Sequence, residues 1–293
     1  MKNILIIGGE GYIGNVLCEN LVSNGYNVTS YDNLIYNNNH CVLNKINLKN
    51  YNFIFGDMLD FRNLKFAIQN SEAVILLAGL VGDPITKKYP NESSAINDKG
   101  VKNVIDLCAK ENIENFIFIS TCSNYGLIKN NDKADEEFEL NPLSLYAKSK
   151  VKAEEYILSL INETDMNPTI LRFATAFGLS PRMRFDLTIS EFTRELATGN
   201  ELVVYDADTW RPYCHVQDFS RLIKLVLEAP KQKISWQVFN AGSDENNATK
   251  RTISELILEK IPSGKIKYQE HGTDPRNYRV SFSKVESVLG FNP

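Results

Sequence analysis

Several residue types are scarce in this 293-residue chain, and each scarcity closes off a class of function. Cysteine occurs five times, at Cys18, Cys41, Cys108, Cys122 and Cys214, and never as Cys-x-x-Cys. That pattern makes neither a disulfide framework nor a thiolate metal site, so the thiols read as reduced and partly buried. The three histidines show no ligand spacing, and no metal site is expected. No apolar run approaches the roughly 18 residues that a membrane helix requires. The apolar stretch 4–7 is too short for a secretory signal, which makes a cytoplasmic protein without a membrane partner the expectation. A basic excess is missing too. With 32 Lys and Arg against 36 Asp and Glu, the net charge is −4, and nucleic acid is not an expected partner.

What is present suits a folded enzyme of one large or two unequal lobes: 43% hydrophobic and 23% charged residues. Over the first 175 positions, short β-branched runs alternate with segments of helical period. Strands are expected at 3–7, 27–31, 51–55, 73–77, 115–120 and 169–173, with helices at 11–24, 61–69, 92–111 and 144–163. The strands barely alternate between apolar and polar residues, as in a parallel sheet covered on both faces. Alternating strands and helices give an α/β, doubly wound parallel sheet of Rossmann type. After residue 175 the rhythm breaks. Nine of the ten arginines lie at or after Arg172, and a planar guanidinium grips phosphate oxygens in pairs. The expected division is a dinucleotide-binding domain over 1–175, rejoined by segments near 213–241, and a smaller C-terminal substrate-binding lobe over 176–293.

Gly8-Gly9-Glu10-Gly11-Tyr12-Ile13-Gly14 falls between the first strand and the first helix. There the glycines let the backbone approach a pyrophosphate, and the helix N-terminus presents free N–H groups. Asp32 ends the second strand, 18 residues after Gly14. A carboxylate there accepts from both adenosine ribose hydroxyls and repels a 2′-phosphate, which predicts NAD rather than NADP. Asp57, in Gly56-Asp57-Met58, is a candidate adenine contact or a helix cap. Tyr146 and Lys150 stand at i and i+4 and share one helical face. A phenol with pKa near 10 is a poor base at neutral pH. A fixed ammonium beside it, helped by a positive nicotinamide, favours the phenolate and makes Tyr146 a proton acceptor.

These features, with Tyr31-Asp32-Asn33-Leu34, Leu76-Leu77-Ala78-Gly79-Leu80, Asn97, Ser120-Thr121 before Tyr125-Gly126, and 211–218, resemble the extended short-chain dehydrogenase/reductases, specifically the NAD-dependent nucleotide-sugar epimerase/dehydratase family. The likeness runs over nearly the whole chain. It implies that Thr121 holds the reacting sugar oxygen, that Tyr146 is the acid/base, and that Lys150 is its partner on the nicotinamide ribose. It places Asn33, Leu34, Met58, Leu77, Ala78, Gly79 and Asn97 with the cofactor. It places Leu80, Val81, Thr175, Arg182, Arg184, Arg211 and Arg276 with a nucleotide-diphosphate sugar. Cys122 and Ser123 stand where 4,6-dehydratases of the family carry Asp-Glu. The expected reaction is therefore 4-epimerisation, with 4-dehydrogenation as the alternative. The helices near 92–111 and 144–163 resemble those that pair subunits in the family, so a homodimer is expected. Their apolar positions, among them Val101, Val104, Ile105, Leu107, Val151, Ile157 and Leu160, could equally pack on their own sheet.

Overall fold

The computed structural model describes residues 2–128, 132–270 and 276–293. Fourteen strands are found among them: β1 (Asn3–Ile7), β2 (Asn27–Asp32), β3 (Tyr51–Phe55), β4 (Ala73–Leu76), β5 (Asn115–Thr121), β6 (Lys133–Ala134), β7 (Pro168–Phe173), β8 (Thr175–Phe177), β9 (Glu201–Tyr205), β10 (Trp210–His215), β11 (Gln237–Ala241), β12 (Asn247–Thr249), β13 (Lys265–Gln269) and β14 (Arg279–Val280). Seven of them form one sheet in the order β11-β7-β5-β4-β1-β2-β3. Every neighbouring pair in it is parallel. The order reverses at β1, the switch point at which open α/β sheets bind ligands beyond the carboxyl ends of their strands.

Both faces of this sheet are covered, and the covering explains the apolar strands. On one face the helices Tyr12–Ser23 and Val216–Glu228 bury Leu17, Leu21, Phe219 and Ile223 against Ile4, Ile6 and Ile117. On the other, Phe61–Gln69, Val101–Lys110 and Leu145–Ser159 bury Leu64, Val104 and Ile157 against Leu5, Ile7 and Phe118. Val101, Val104, Ile105, Leu107 and Ile157 all lie in this second cluster, and Leu160 packs on it. These side chains therefore serve the chain's own core. No helix among the described residues is long and apolar enough to cross a membrane.

The expected helix over 92–111 is not one α-helix. It divides into Pro90–Ser94, a wider π-turn at Ala95–Gly100, and Val101–Lys110. The C-terminal residues build a second, smaller core of Phe192, Leu196, Leu202, Val204 and Ala207, flanked by Ile253 and Ile257. β11 leaves that lobe and joins the large sheet beside β7. The five cysteines are free and buried.

Candidate functional site

The strand register brings Gly8 after β1, Asp32 at the end of β2, Leu77 after β4 and Thr121 at the end of β5 to one edge of the sheet. A cavity of about 700 Å³ opens along that edge, between the sheet and the C-terminal lobe. Its walls include Gly8, Gly11, Tyr12, Ile13 and Gly14. Gly8 has φ +87, and a Cβ on it would stand 2.7 Å from the Ala78 nitrogen. A Cβ on Gly14 would press on the Gly8 carbonyl oxygen and stand 2.7 Å from the Gly9 Cα. Any side chain would thus push the loop outward and close the cradle. Gly11 at the helix N-cap provides no side-chain acceptor, so the first-turn N–H groups keep their capacity for an anion. This cradle, with a carboxylate at the end of β2, fits a dinucleotide.

Glu10, in the middle of the loop, is fully buried. Its carboxylate accepts from Lys45 Nζ at 2.9 Å, Ser30 Oγ at 2.7 Å and Tyr51 Oη at 2.6 Å. Lys45 also donates to Asn15. This buried ion pair ties the loop to β2, β3 and the connection between them. Nothing in the spacing of Glu10 and Lys45 announces it.

Asp32 lines the cavity and accepts from the backbone N–H of Glu10 at 3.0 Å and of Leu34 at 2.8 Å. Burial raises its pKa, and those two N–H groups work against the rise. Asn33, Asp57 and Met58 lie on the same wall. Asp57 accepts from Asn33 Nδ2 at 3.0 Å and from the Leu59 N–H at 2.9 Å, so it shapes a turn as well as the wall.

Two residues expected at the cofactor do not line the cavity. Leu34 has φ +52 and serves through its N–H on Asp32. Asn97 sits on the π-turn with both ends of its amide engaged by Leu80. Its Oδ1 accepts from the Leu80 N–H at 2.8 Å, and its Nδ2 donates to the Leu80 carbonyl at 2.9 Å. Asn97 therefore fixes the wall made by Leu77, Ala78, Gly79, Leu80 and Val81 without forming part of it.

Thr121, Tyr146 and Lys150 meet in this cavity. Ser144 caps the helix Leu145–Ser159 by accepting from the Ala147 N–H at 3.1 Å, which sets Tyr146 in the first turn and Lys150 in the next. Lys150 Nζ donates to the Ile119 carbonyl at 2.7 Å and lies 4.6 Å from the centroid of the Phe118 ring. Burial pushes its pKa down to about 8, with Glu154 opposing. Burial also pushes the Tyr146 phenol up to about 12, and the cation that opposes this is Arg184. The ammonium of Lys150, directed at the Ile119 carbonyl, also lies 5.9 Å from the centroid of the Tyr146 ring. Behind these groups Glu154 accepts from Arg172 Nη2 at 2.7 Å and Asn124 Nδ2 at 2.8 Å, and Ser120 Oγ also donates to it. Arg172 Nη1 donates to Tyr125 Oη at 2.9 Å, and Tyr125 Oη to Asn240 Oδ1 at 2.7 Å. The strand end that carries Thr121 is thereby fixed from below. Cys122 turns its sulfur onto the Arg172 carbonyl at 3.1 Å, and burial raises its pKa.

Thr175, at the start of β8, and Arg182, Arg184, Arg211 and Arg276 of the C-terminal lobe complete the wall. Arg184 pairs with Asp186, Nε to Oδ1 at 3.1 Å and Nη2 to Oδ2 at 2.5 Å. Burial works against this cation, but Asp186 outweighs it and raises the pKa of Arg184. Arg211 donates to the carbonyls of Trp210 and Arg276 and stacks over Tyr278 at 5.0 Å. Lining residues that were not singled out from sequence include Tyr36, Asp186, Lys250 and Tyr278. Tyr278 faces Ser123, with the two hydroxyls 3.2 Å apart. It arrives through the bridge between Leu127 and Asn277, a contact across 150 positions that no local pattern reveals. His215 accepts from the Gln217 N–H at 3.2 Å and caps a helix. Among the described residues, no group of His, Cys, Asp and Glu is arranged to hold a metal ion.

Comparison with known proteins agrees with this geometry. The chain is 27% identical over 306 residues to the uncharacterised UDP-glucose epimerase YtcB of Bacillus subtilis, covering 99% of this chain and 92% of that one. It is 26% identical over 304 residues to a dTDP-glucose 4,6-dehydratase of Streptomyces niveus, covering 99% and 88%. Among solved structures, the UDP-glucuronic acid 4-epimerase of Bacillus cereus, in complex with UDP-glucuronic acid and NAD, superposes with a TM-score of 0.89 at 24% identity. That match covers 99% of this chain and 94% of that one. The model of the NAD dependent epimerase/dehydratase family matches residues 4–242, and with the glycine cradle and the carboxylate at the end of β2 in place, this chain belongs to that NAD-dependent family.

Proposed function

We propose that the chain is a nucleotide-sugar 4-epimerase, which oxidises a nucleotide-activated sugar at carbon 4 and reduces the ketone on its opposite face. The observation that carries this is the meeting of Thr121, Tyr146 and Lys150 in the cavity that holds the glycine cradle. NAD, when bound, supplies an oxidised nicotinamide ring that accepts hydride. Thr121 would hold the sugar hydroxyl, and Tyr146 would take its proton. Lys150, 5.9 Å from the centroid of the tyrosine ring, would hold the ribose hydroxyls and keep positive charge near the phenol. The cations of the C-terminal lobe would receive the nucleotide diphosphate.

Elimination of water across carbons 5 and 6 needs an acid and a base beside the ketone. The position after Thr121 holds a thiol turned away into the core. Among the described residues, the carboxylates that line the cavity are Asp32, Asp57 and Asp186, of which the last is paired with Arg184. This distribution favours epimerisation over dehydration. The test is incubation with UDP-, GDP- and dTDP-sugars, with products followed by NMR. An inverted 4-hydroxyl is expected, and Tyr146→Phe should hold turnover to roughly 10²- to 10⁴-fold below the parent. An accumulating 4-ketone would make the chain a 4-dehydrogenase, and a 4-keto-6-deoxy sugar would make it a dehydratase.

A further inference from the structure

Arg182 and Arg184 are two positions apart in the irregular stretch that follows Pro181, and their side chains have different partners. Arg184 turns to Asp186, within electrostatic reach of the Tyr146 phenol. Arg182 packs on an aromatic ring instead. Its guanidinium carbon lies 4.0 Å from the centroid of the Tyr36 ring, on the connection that follows β2. Its charge is felt by Asp32 and by Cys41. Arg182 and Tyr36 both line the cavity. The two guanidinium groups stay within electrostatic reach of each other, with that of Arg182 stacked on Tyr36.

The segment that carries Arg182 is locked to the dinucleotide-binding half. Tyr12 Oη donates to the Gly178 carbonyl at 2.6 Å, and Ser180 Oγ donates to the Tyr12 carbonyl at 2.7 Å. His40 Nε2 lies 3.2 Å from the Pro181 carbonyl oxygen. Tyr12 opens the helix whose N-terminus faces the glycine cradle. These bonds fix the backbone that leads into Arg182, and its guanidinium stacks on Tyr36. Among the described residues, no carboxylate lies within ion-pair distance of it. A half-buried guanidinium, stacked on one face and without a carboxylate, is equipped to take an anion along its edge.

We infer that Arg182, on its Tyr36 platform, binds the phosphates of the dinucleotide cofactor rather than those of the sugar nucleotide, so that the C-terminal lobe clasps the cofactor from above. This reverses the assignment of Arg182 to the substrate and rests on the proposed function only in requiring a dinucleotide in the cradle. A clasp of this kind retains the cofactor through repeated turnovers, as a reaction that returns its own hydride requires.

The test measures binding rather than turnover. Protein stripped of dinucleotide is titrated calorimetrically with NAD, ADP-ribose and UDP, for the parent and for Arg182→Ala, Arg182→Lys and Tyr36→Leu. Arg182→Ala should weaken NAD and ADP-ribose about 10- to 100-fold and leave UDP within about twofold, as expected for loss of one charge-assisted contact. Arg182→Lys should recover part of that loss, and Tyr36→Leu should weaken the same two ligands without affecting UDP. Weakened UDP binding with unchanged ADP-ribose binding would overturn the inference and return Arg182 to the sugar nucleotide. Unchanged binding of all three ligands would overturn it as well. A parent that binds neither NAD nor ADP-ribose would instead overturn the proposed function, and the inference with it.

Discussion

Replacing Lys150 by methionine should stabilise the protein at neutral pH while removing its chemistry. Lys150 is only 6% exposed, and its pKa falls from 10.5 to about 8 because burial disfavours the ammonium. The cost of keeping that charge in the folded state at pH 7 is about 3 kcal/mol. Methionine fills much of the same volume without a charge. Against this gain stands the lost donor to the Ile119 carbonyl, 2.7 Å away, worth about 1–2 kcal/mol. The contact with the Phe118 ring goes with it. Lys150→Met should therefore be more stable than the parent by about 1–2 kcal/mol near pH 7.

The pH dependence separates this cause from mere repacking. A folded pKa below the unfolded one means that the unfolded chain binds more protons between about pH 8 and 10.5. The parent accordingly gains stability as pH rises through that window, and Lys150→Met lacks that gain. The difference between the two should be full below pH 8 and close or reverse by pH 10.5. Urea unfolding of dinucleotide-stripped protein, followed by tryptophan fluorescence at pH 7 and pH 10, measures it. A variant less stable than the parent at pH 7, or a difference equal at both pH values, would refute the reasoning.

Two further perturbations follow from the geometry. Gly14→Ala places a Cβ against the Gly8 carbonyl and 2.7 Å from the Gly9 Cα, so titration with NADH should show at least a tenfold loss of affinity. An unchanged affinity would mean that the loop has room to move. Arg172→Met leaves the buried Glu154 carboxylate without its cation and should destabilise by about 3–5 kcal/mol in urea unfolding. Adding Glu154→Leu should recover most of that loss, and a single variant within 1 kcal/mol of the parent would contradict it.

Features carried by neighbouring residues were legible in the sequence. The Ile- and Val-rich strands announced a sheet buried on both faces, because a parallel strand leaves no face for polar side chains. The glycine cradle was legible for the same reason, since φ, close approach and the following helix are encoded within seven positions. The helix with Tyr146 and Lys150 was legible down to its face. What escaped was direction and distance. Asn97 has the right residue type, but the π-turn under it aims its amide at the backbone of Leu80. Glu10 and Lys45 are two charges 35 positions apart, and only the folded connection between β2 and β3 makes them a buried pair. Tyr278 reached the cavity through one bridge to Leu127-side backbone, with no periodicity to mark it.

The arginine bias of the C-terminal half has a physical reason once the two ends of the cavity are compared. The sheet half offers anions a helix N-terminus and glycine N–H groups, which bind phosphate without any side-chain cation. Among the described residues, its own lining charges are the acids Asp32 and Asp57 and the cation Lys150. Among its described residues the smaller lobe brings guanidinium groups instead, and Arg184, Arg211 and Arg276 on the wall suit a diphosphate bound there. Under the proposed function the two phosphate-binding devices face each other across the reacting carbon. Arg182 comes from the same lobe but stacks on Tyr36, on the connection after β2, so the outcome of its substitution divides the cofactor's share of the cavity from the substrate's.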